Sequence, residues 1–356
     1  MHVTIRYPTQ VISSNNNQYR GEEKLIIGRP LGNGQVARVT IPASILFRHT
    51  LIVGSTGSGK TWTAAFLIKS LHRLKPYKYR IIVLDWHGEY SSLLKHCVYI
   101  DPYDAPVNIV DPGTLSWLEI LYDVLGLTDP QAYLLQKIIA EISPSTLIDI
   151  KKLYGLIEQK DYDEAKWLRE VKYALLRRLA PLVYGDNYRL FSAHKDFLRT
   201  FRKKNTYVVD LSRIRDIRVK SIYATFIARY VFDYALRKIV PNTILVIEEA
   251  HNLLSKSNSS NIISRMLSEI RKFGVGVIIV TQSPSGLDDD IMKNTGSKIV
   301  HSIKSSIDLE IISKSLVLDK RVVSIIPYLE PGEAVVALPN YKKPLLVKIG
   351  DYFEKP

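Results

Sequence analysis

The sequence predicts an α/β protein built on a mostly parallel sheet with crossover helices. Three observations carry this. Short apolar runs alternate with longer amphipathic stretches, the pattern of strand–helix–strand units. The run Thr50–Val53 leads directly into GSTGSGKT at 54–61 and then into a helix-like stretch from Trp62 to Leu74. Two later apolar runs end in acids, Asp85 and the pair Glu248–Glu249, where such a sheet places its ligand chemistry.

Taken in order, residues 1–48 read as a short β-rich N-terminal region. Its strand candidates are Val3–Tyr7, Leu25–Ile27 and Ala37–Ile41, separated by the turn-prone stretches Ser13–Asn17 and Gly32–Gly34. Residues 49–356 read as the core. After the helix from Trp62, a strand is predicted over Arg80–Leu84. Residues 114–182 carry apolar positions at helical spacing, such as Trp167, Val171, Leu175 and Leu179; they make 112–200 a helical insertion. Tyr207–Leu211 is the next strand, Lys220–Val240 a long amphipathic helix, and Thr243–Ile247 and Val275–Val280 two further strands. Late β segments are expected at Lys298–Ile303, Ala334–Ala337 and Pro344–Ile349, and Ser255–Ser260 is the expected mobile loop.

Composition bounds the partners. With 356 residues, 46% hydrophobic and 24% charged, the chain suits one large or two moderate domains. The single cysteine, Cys97, excludes an intrachain disulfide and a zinc–thiolate cluster, and fits a reducing cytoplasm. The start MHVTIRYPTQ has no apolar core of a signal peptide. Apolar runs such as Gly274–Val280 fall far short of the ~18 residues of a membrane span, so no transmembrane segment is expected. The formal charge is +14, and residues 151–240, with 21 Lys/Arg against 10 Asp/Glu, hold +11 of it. That concentration points to a polyanion such as nucleic acid, against the plainer reading of a solvated face.

The octapeptide fits G-x-x-x-x-G-K-[ST] with Gly54, Gly59, Lys60 and Thr61 in the fixed places. The backbone of Gly54, Ser55, Thr56, Gly57, Ser58 and Gly59 would cradle ATP phosphates. Lys60 would reach the β- and γ-phosphates and Thr61 would hold Mg²⁺. The acid pair in ILVIEEAHNL gives Glu248 to the magnesium side, through water, and Glu249 to activating the hydrolytic water. Adjacent strand residues point to opposite faces, so the two cannot share one task. The run VIIVTQSP ends in Thr281 and Gln282; a neutral amide there can sense the γ-phosphate without adding charge. In LDWHGEY, His87 and Glu89 either line the nucleotide cleft or form an ordinary turn.

These motifs together make the family specific. HTLIVGSTGSGKT (49–61), DWHGEY (85–90), VVDLS (208–212), LVIEEAHNLL (245–254), RKFGVGVIIVTQSPSGLD (271–288) and LEPGEAVV (329–336) run in the order of the HerA–FtsK family of DNA-pumping ATPases. The chain most resembles its archaeal HerA branch. The resemblance implies a RecA-like ATPase core, a homo-hexameric ring and double-stranded DNA in the pore. It also implies that Asp85 is a second-strand acid near the γ-phosphate, that Gln282 is the sensor, and that Arg271, with Lys272 as the alternative, is an arginine finger reaching a neighbour's nucleotide. The chain departs from the family at Trp86, where proline is frequent, and at Glu248, where aspartate is frequent. A partner nuclease is implied too, docked on a larger N-terminal barrel than the 48 residues that precede this core.

The expected function is therefore an ATP-driven hexameric double-stranded DNA translocase or helicase. Phosphate contacts are expected from Arg177, Arg178, Arg202, Lys203 and Lys204. The rivals are a conjugative-transfer or viral genome-packaging motor with the same machinery, a nucleotide-dependent DNA-binding scaffold with little turnover, and a metabolic kinase, for which no small-substrate signature is visible.

Overall fold

A computed structural model describes residues 22–350 except 33–37, 75–77, 111–115, 144–145, 147, 163–165, 193–199, 202, 204, 240–241, 255–266 and 268. The strand candidate Val3–Tyr7 and the loop Ser255–Ser260 lie outside the described residues. The strands are β1 (Lys24–Pro30), β2 (Val39–Pro42), β3 (Thr50–Val53), β4 (Arg80–Asp85), β5 (Val98–Ile100), β6 (Thr206–Asp210), β7 (Thr243–Ile247), β8 (Val275–Thr281), β9 (Ser297–Val300), β10 (Glu333–Ala337) and β11 (Leu345–Ile349). They form one sheet in the order β2-β1-β11-β10-β9-β3-β8-β7-β4-β6-β5. From β9 to β5 every pairing is parallel. The pairings β9–β10, β10–β11, β11–β1 and β1–β2 are antiparallel. The sheet is the large, mostly parallel one expected, and the N-terminal strands continue it.

The inner parallel strands β3, β4, β7 and β8 are buried on both faces and so read as largely apolar runs. Alternation still sorts their side chains. Leu51, Val53, Leu84, Ile247 and Ile279 join one core with the inserted helices, whereas Ile52, Val83, Val246 and Ile278 join the other with Ala64, Phe66 and Leu67. The second core is covered by α1 (Lys60–Leu74). Between β5 and β6 come α3 (Ser116–Leu125), α4 (Asp129–Ala140), α5 (Ile150–Gln159) and α6 (Lys166–Val183), after the single turn α2 (Tyr90–Leu93). Asp149 caps α5 by accepting from Lys152 N–H at 2.7 Å, and Thr128 with Gln131 forms a capping box on α4. The long helix α7 (Ile217–Leu236) starts at an Asp216 cap. No helix among the described residues is long and apolar enough to cross a membrane.

β5 went unforeseen because it is three residues long and exposes Val98 (41%) and Tyr99 (44%). An edge strand that short shows no alternation to read. In the middle of the sheet, Gly276 lets the turn Ala43–Arg48 cross β8: a Cβ there would sit 2.5 Å from the Leu46 carbonyl oxygen and 3.0 Å from Phe47 Cα. Gly276→Ala should therefore cost at least ~1–3 kcal/mol through overpacking. The measurement is a denaturant midpoint. Gly155→Ala is the control, because its Cβ meets nothing within 4 Å and alanine favours α5 by up to ~1 kcal/mol. Equal midpoints for the two variants would refute the close-approach account.

Candidate nucleotide-binding site

Parallel register brings the strand ends together. Val53 pairs with Thr281, Ile247 with Ile279, Leu84 with Ile247, and Asp85 with Asp210. The segments leaving β3, β4, β7 and β8 therefore share one edge, and they carry the phosphate loop, the DWHGEY turn, the acid pair and Gln282.

The loop is held by its neighbours. Ser55 N–H donates to Ser302 O at 2.7 Å, just past β9, and Gly332 N–H donates to Ser58 O at 3.0 Å, just before β10. Gly59, at φ +103°, lies so close that a Cβ would sit 2.9 Å from Gly332 N. This is the structural content of the LEPGEAVV segment. Lys60 Nζ donates to Ser55 O at 3.1 Å. Its amine is buried, and desolvation pushes its pKa down while Glu249, Glu248 and Glu89 push it up. Beneath the loop, His301 is fully buried: its Nδ1 donates to Glu333 O at 2.8 Å and its Nε2 accepts from Thr63 Oγ1 at 2.9 Å.

The acids lean apart. β7 lies between β8 and β4. Glu248 reaches towards β4, where its Oε1 accepts from Tyr90 Oη at 2.7 Å. Glu249 reaches towards β8, where its Oε1 accepts from Gln282 Nε2 at 3.0 Å. Glu249 has φ +46° and ψ +47°, a left-handed conformation that costs a residue with a Cβ about 1–3 kcal/mol. The two side chains thus part through a sharp turn that directs the carboxylates to opposite neighbours, rather than through strand alternation alone. Burial pushes the Glu248 carboxyl up to about 7, with the Tyr90 hydrogen bond pulling the other way. Gln282 continues to the phosphate loop, since Thr56 Oγ1 donates to its Oε1 at 2.7 Å. A hydrogen-bonded chain Thr56–Gln282–Glu249 therefore ties loop to acid. His251 Nδ1 is 3.3 Å and His87 Nε2 3.7 Å from the Glu249 carboxylate.

Asp85 stands on the same edge, but its carboxylate shapes the turn. Oδ1 accepts from Gly88 N–H at 2.9 Å and Glu89 N–H at 3.2 Å, and Oδ2 from Tyr90 N–H at 3.0 Å. The carboxylate thus anchors the turn at the edge where the resemblance puts an acid near the γ-phosphate. Trp86 is buried, with Lys220 Nζ 5.0 Å from its ring and donating to its carbonyl at 3.2 Å.

Arg271 and Lys272 are exposed on the turn before β8, at the edge opposite the phosphate loop, so the structure does not bring them to this chain's own site. Arg177 and Arg178 lie on α6, and Lys203 precedes β6. Arg178 Nη1 donates to Leu125 O at 2.9 Å and so closes the end of α3. Arg202 and Lys204 lie outside the described residues.

The residues fit a magnesium nucleotide. Ser58 Oγ and Glu249 Oε2 are buried without a hydrogen-bond partner among the described residues, and the first turn of α1 presents the free amides of a helix N-terminus. No group of three or more His, Cys, Asp or Glu able to hold a metal occurs among the described residues; Mg²⁺ arriving with phosphates needs only one or two side chains. Tyr90, His301 and Gly332 were not singled out in the sequence; the first and last stand inside the GEY and PGE motifs, while His301 gave no signal.

Comparison with known proteins agrees with this geometry. The family profile described as "Helicase HerA, central domain" matches residues 25–231, and one described as zonular occludens toxin (Zot) matches 196–314. The chain is 29% identical over 352 residues to the DNA double-strand break repair helicase HerA of Sulfolobus acidocaldarius, covering 92% of this chain and 69% of that protein. It is 28% identical to the HerA of Sulfurisphaera tokodaii, covering 94% and 70%. The DNA import protein CedB of Sulfolobus acidocaldarius is 25% identical, covering 84% and 52%. In fold it is similar to VirB4 of Thermoanaerobacter pseudethanolicus (TM-score 0.74, 18% identity, 94% and 98% covered). It is also similar to the conjugative coupling protein TrwB (0.66, 16%, 96% and 92%).

Two buried histidines make stability depend on pH. Burial holds His301 at about 4. His49, also at about 4, accepts from Val277 N–H at Nδ1 (3.0 Å) and meets Leu267 O at Nε2 (2.8 Å), so a second ring proton would face a donor. Between pH 6.5 and 4 these two rings bind fewer protons in the native state than in the unfolded chain, so their contribution to stability falls as pH falls through this window; the raised Glu248 carboxyl works the other way below pH 7 and offsets part of it. The limit is on the order of 3 kcal/mol for each ring. Urea midpoints should drop between pH 7 and 4.5, and His301→Gln should flatten the slope. An unchanged slope in that variant would overturn the assignment.

Proposed function

Because the chain belongs to the family of the HerA helicase central domain, we propose that it is a hexameric translocase of double-stranded DNA driven by its ATPase activity. The observation that carries this reading is the chain Thr56–Gln282–Glu249, which couples the phosphate loop to an acid beside the buried Lys60. Lys60 and the loop amides bind the phosphates. Glu249 orients the attacking water and takes its proton. Gln282, bonded to both loop and acid, reports whether a γ-phosphate is present. A bound Mg²⁺ would neutralise developing charge on the phosphate oxygens, with Thr61 and, through water, Glu248 as its holders.

Two features support the ring and its cargo. Arg271 lies at the sheet edge away from its own loop, the placement expected of a finger that completes a neighbour's site. The basic segment 151–240 supplies charge for backbone contacts, which carry no sequence information and suit movement along any DNA. In this reading residues 1–48 are the N-terminal region and 49–356 the core, with 112–200 inserted; a nuclease partner of the kind the resemblance implies would need a docking surface beyond the 48 residues that precede the core. A second reading, a DNA-transfer or packaging motor, uses the same site and is favoured by the likeness to the import protein CedB.

The deciding experiment measures ATP hydrolysis with and without duplex DNA. Stimulation is expected, with DNA affinity falling by a log–log slope of roughly −0.9 per neutralised phosphate as salt rises. Hydrolysis indifferent to DNA and salt would refute the translocase. Glu249→Gln should bind ATP and lose turnover by at least ~10²-fold; retained turnover would remove it from the catalytic role. Arg271→Ala should be inactive alone yet regain activity when mixed with Lys60→Ala, whereas full activity of the pure variant rejects the finger.

A further inference from the structure

The geometry assigns Tyr90 as the positioning residue for Glu248: its phenol fixes the carboxylate that holds magnesium in the ATPase cycle. This inference rests on the proposed function. Tyr90 is fully buried and its Oη lies 2.7 Å from Glu248 Oε1. The phenol is placed there by the DWHGEY turn. Asp85 at the end of β4 gathers the amides of residues 88, 89 and 90, and the third of these belongs to Tyr90 itself. The turn, its anchoring acid and the ring therefore form one rigid arm that reaches from β4 across to the residue following β7. Glu248 N–H in turn donates to Leu84 O at 3.3 Å, so the acid's backbone is tied to the same strand as the arm.

Among the described residues the Glu248 carboxylate makes no other side-chain hydrogen bond, so the phenol is what fixes its orientation. With Oε1 engaged by the phenol, Oε2 is the oxygen left for a metal-bound water. The assignment gives the GEY segment a task that neither the phosphate loop nor the water-activating acid performs.

The test is Tyr90→Phe, which keeps the ring and removes only the hydroxyl. ATP affinity is measured by titration with a fluorescent ATP analogue in Mg²⁺ and again in EDTA, alongside the Mg²⁺ concentration for half-maximal hydrolysis. The expectation is about tenfold weaker binding in Mg²⁺, unchanged binding in EDTA, and a matching rise in the Mg²⁺ requirement. In a Glu248→Gln background the same substitution should add little, because its target is gone. Equal binding by wild type and variant in Mg²⁺, or equal losses in Mg²⁺ and EDTA, would overturn the assignment. Should Tyr90→Phe fail to fold, Asp85→Asn, which loosens the arm and leaves both Tyr90 and Glu248 in place, must show the same Mg²⁺-selective loss. If Glu248→Gln itself leaves Mg²⁺-dependent binding intact, the role of Glu248 fails; if only Tyr90→Phe is silent, the positioning role alone fails.

Discussion

The in-register parallel pairing of β3, β8, β7 and β4 is the constraint from which the site follows. Each strand delivers its last residue to the same edge, so the phosphate loop, Gln282, the acid pair and the Asp85 turn meet although 228 positions separate Gly54 from Gln282. Slipping one strand by a single residue would turn its apolar side chains to the wrong face. It would also break the chain Thr56–Gln282–Glu249. The cores on the two faces thus fix the register, and the register fixes the chemistry.

Much of the site is costly as structure. Glu248, Glu249, Lys60 and Asp85 are all withdrawn from water, Glu249 sits in a left-handed conformation, and Ser58 Oγ is left without a hydrogen-bond partner among the described residues. Buried charge without full compensation destabilises a fold. Such departures concentrate where function requires them. Around them the sheet is built on two large buried apolar cores, which is what lets the edge tolerate them.

The sequence disclosed these parts unevenly, for physical reasons. The phosphate loop is legible because phosphate geometry demands fixed residue types at fixed spacing. The strands β3, β4, β7 and β8 are legible because burial on both faces demands apolar runs. What Asp85 binds is not legible, since an acid at a strand end can face a phosphate or a set of amides with equal sequence support. The clamp of Gly332 on Ser58 is also hidden: nothing local to residue 332 shows that its amide meets a loop far earlier in the chain. The separation of Glu248 from Glu249 was anticipated, but from strand alternation; the chain achieves it with one left-handed turn that no propensity rule predicts for glutamate.

The pairing of β1 with β11, in which Gly28 lies opposite Ile349, has a consequence for how the chain matures on the ribosome. β1 leaves the exit tunnel long before β11. At ~5–20 residues per second, the first strand waits roughly 15–60 s for its partner. Gly332, which closes the phosphate loop, belongs to the same late stretch. A nascent chain thus carries its GSTGSGKT segment without the backbone that shapes it until β10 and β11 follow. Competence to grip nucleotide arrives with those strands, which ties the first moment of activity to the closing of the sheet around the loop.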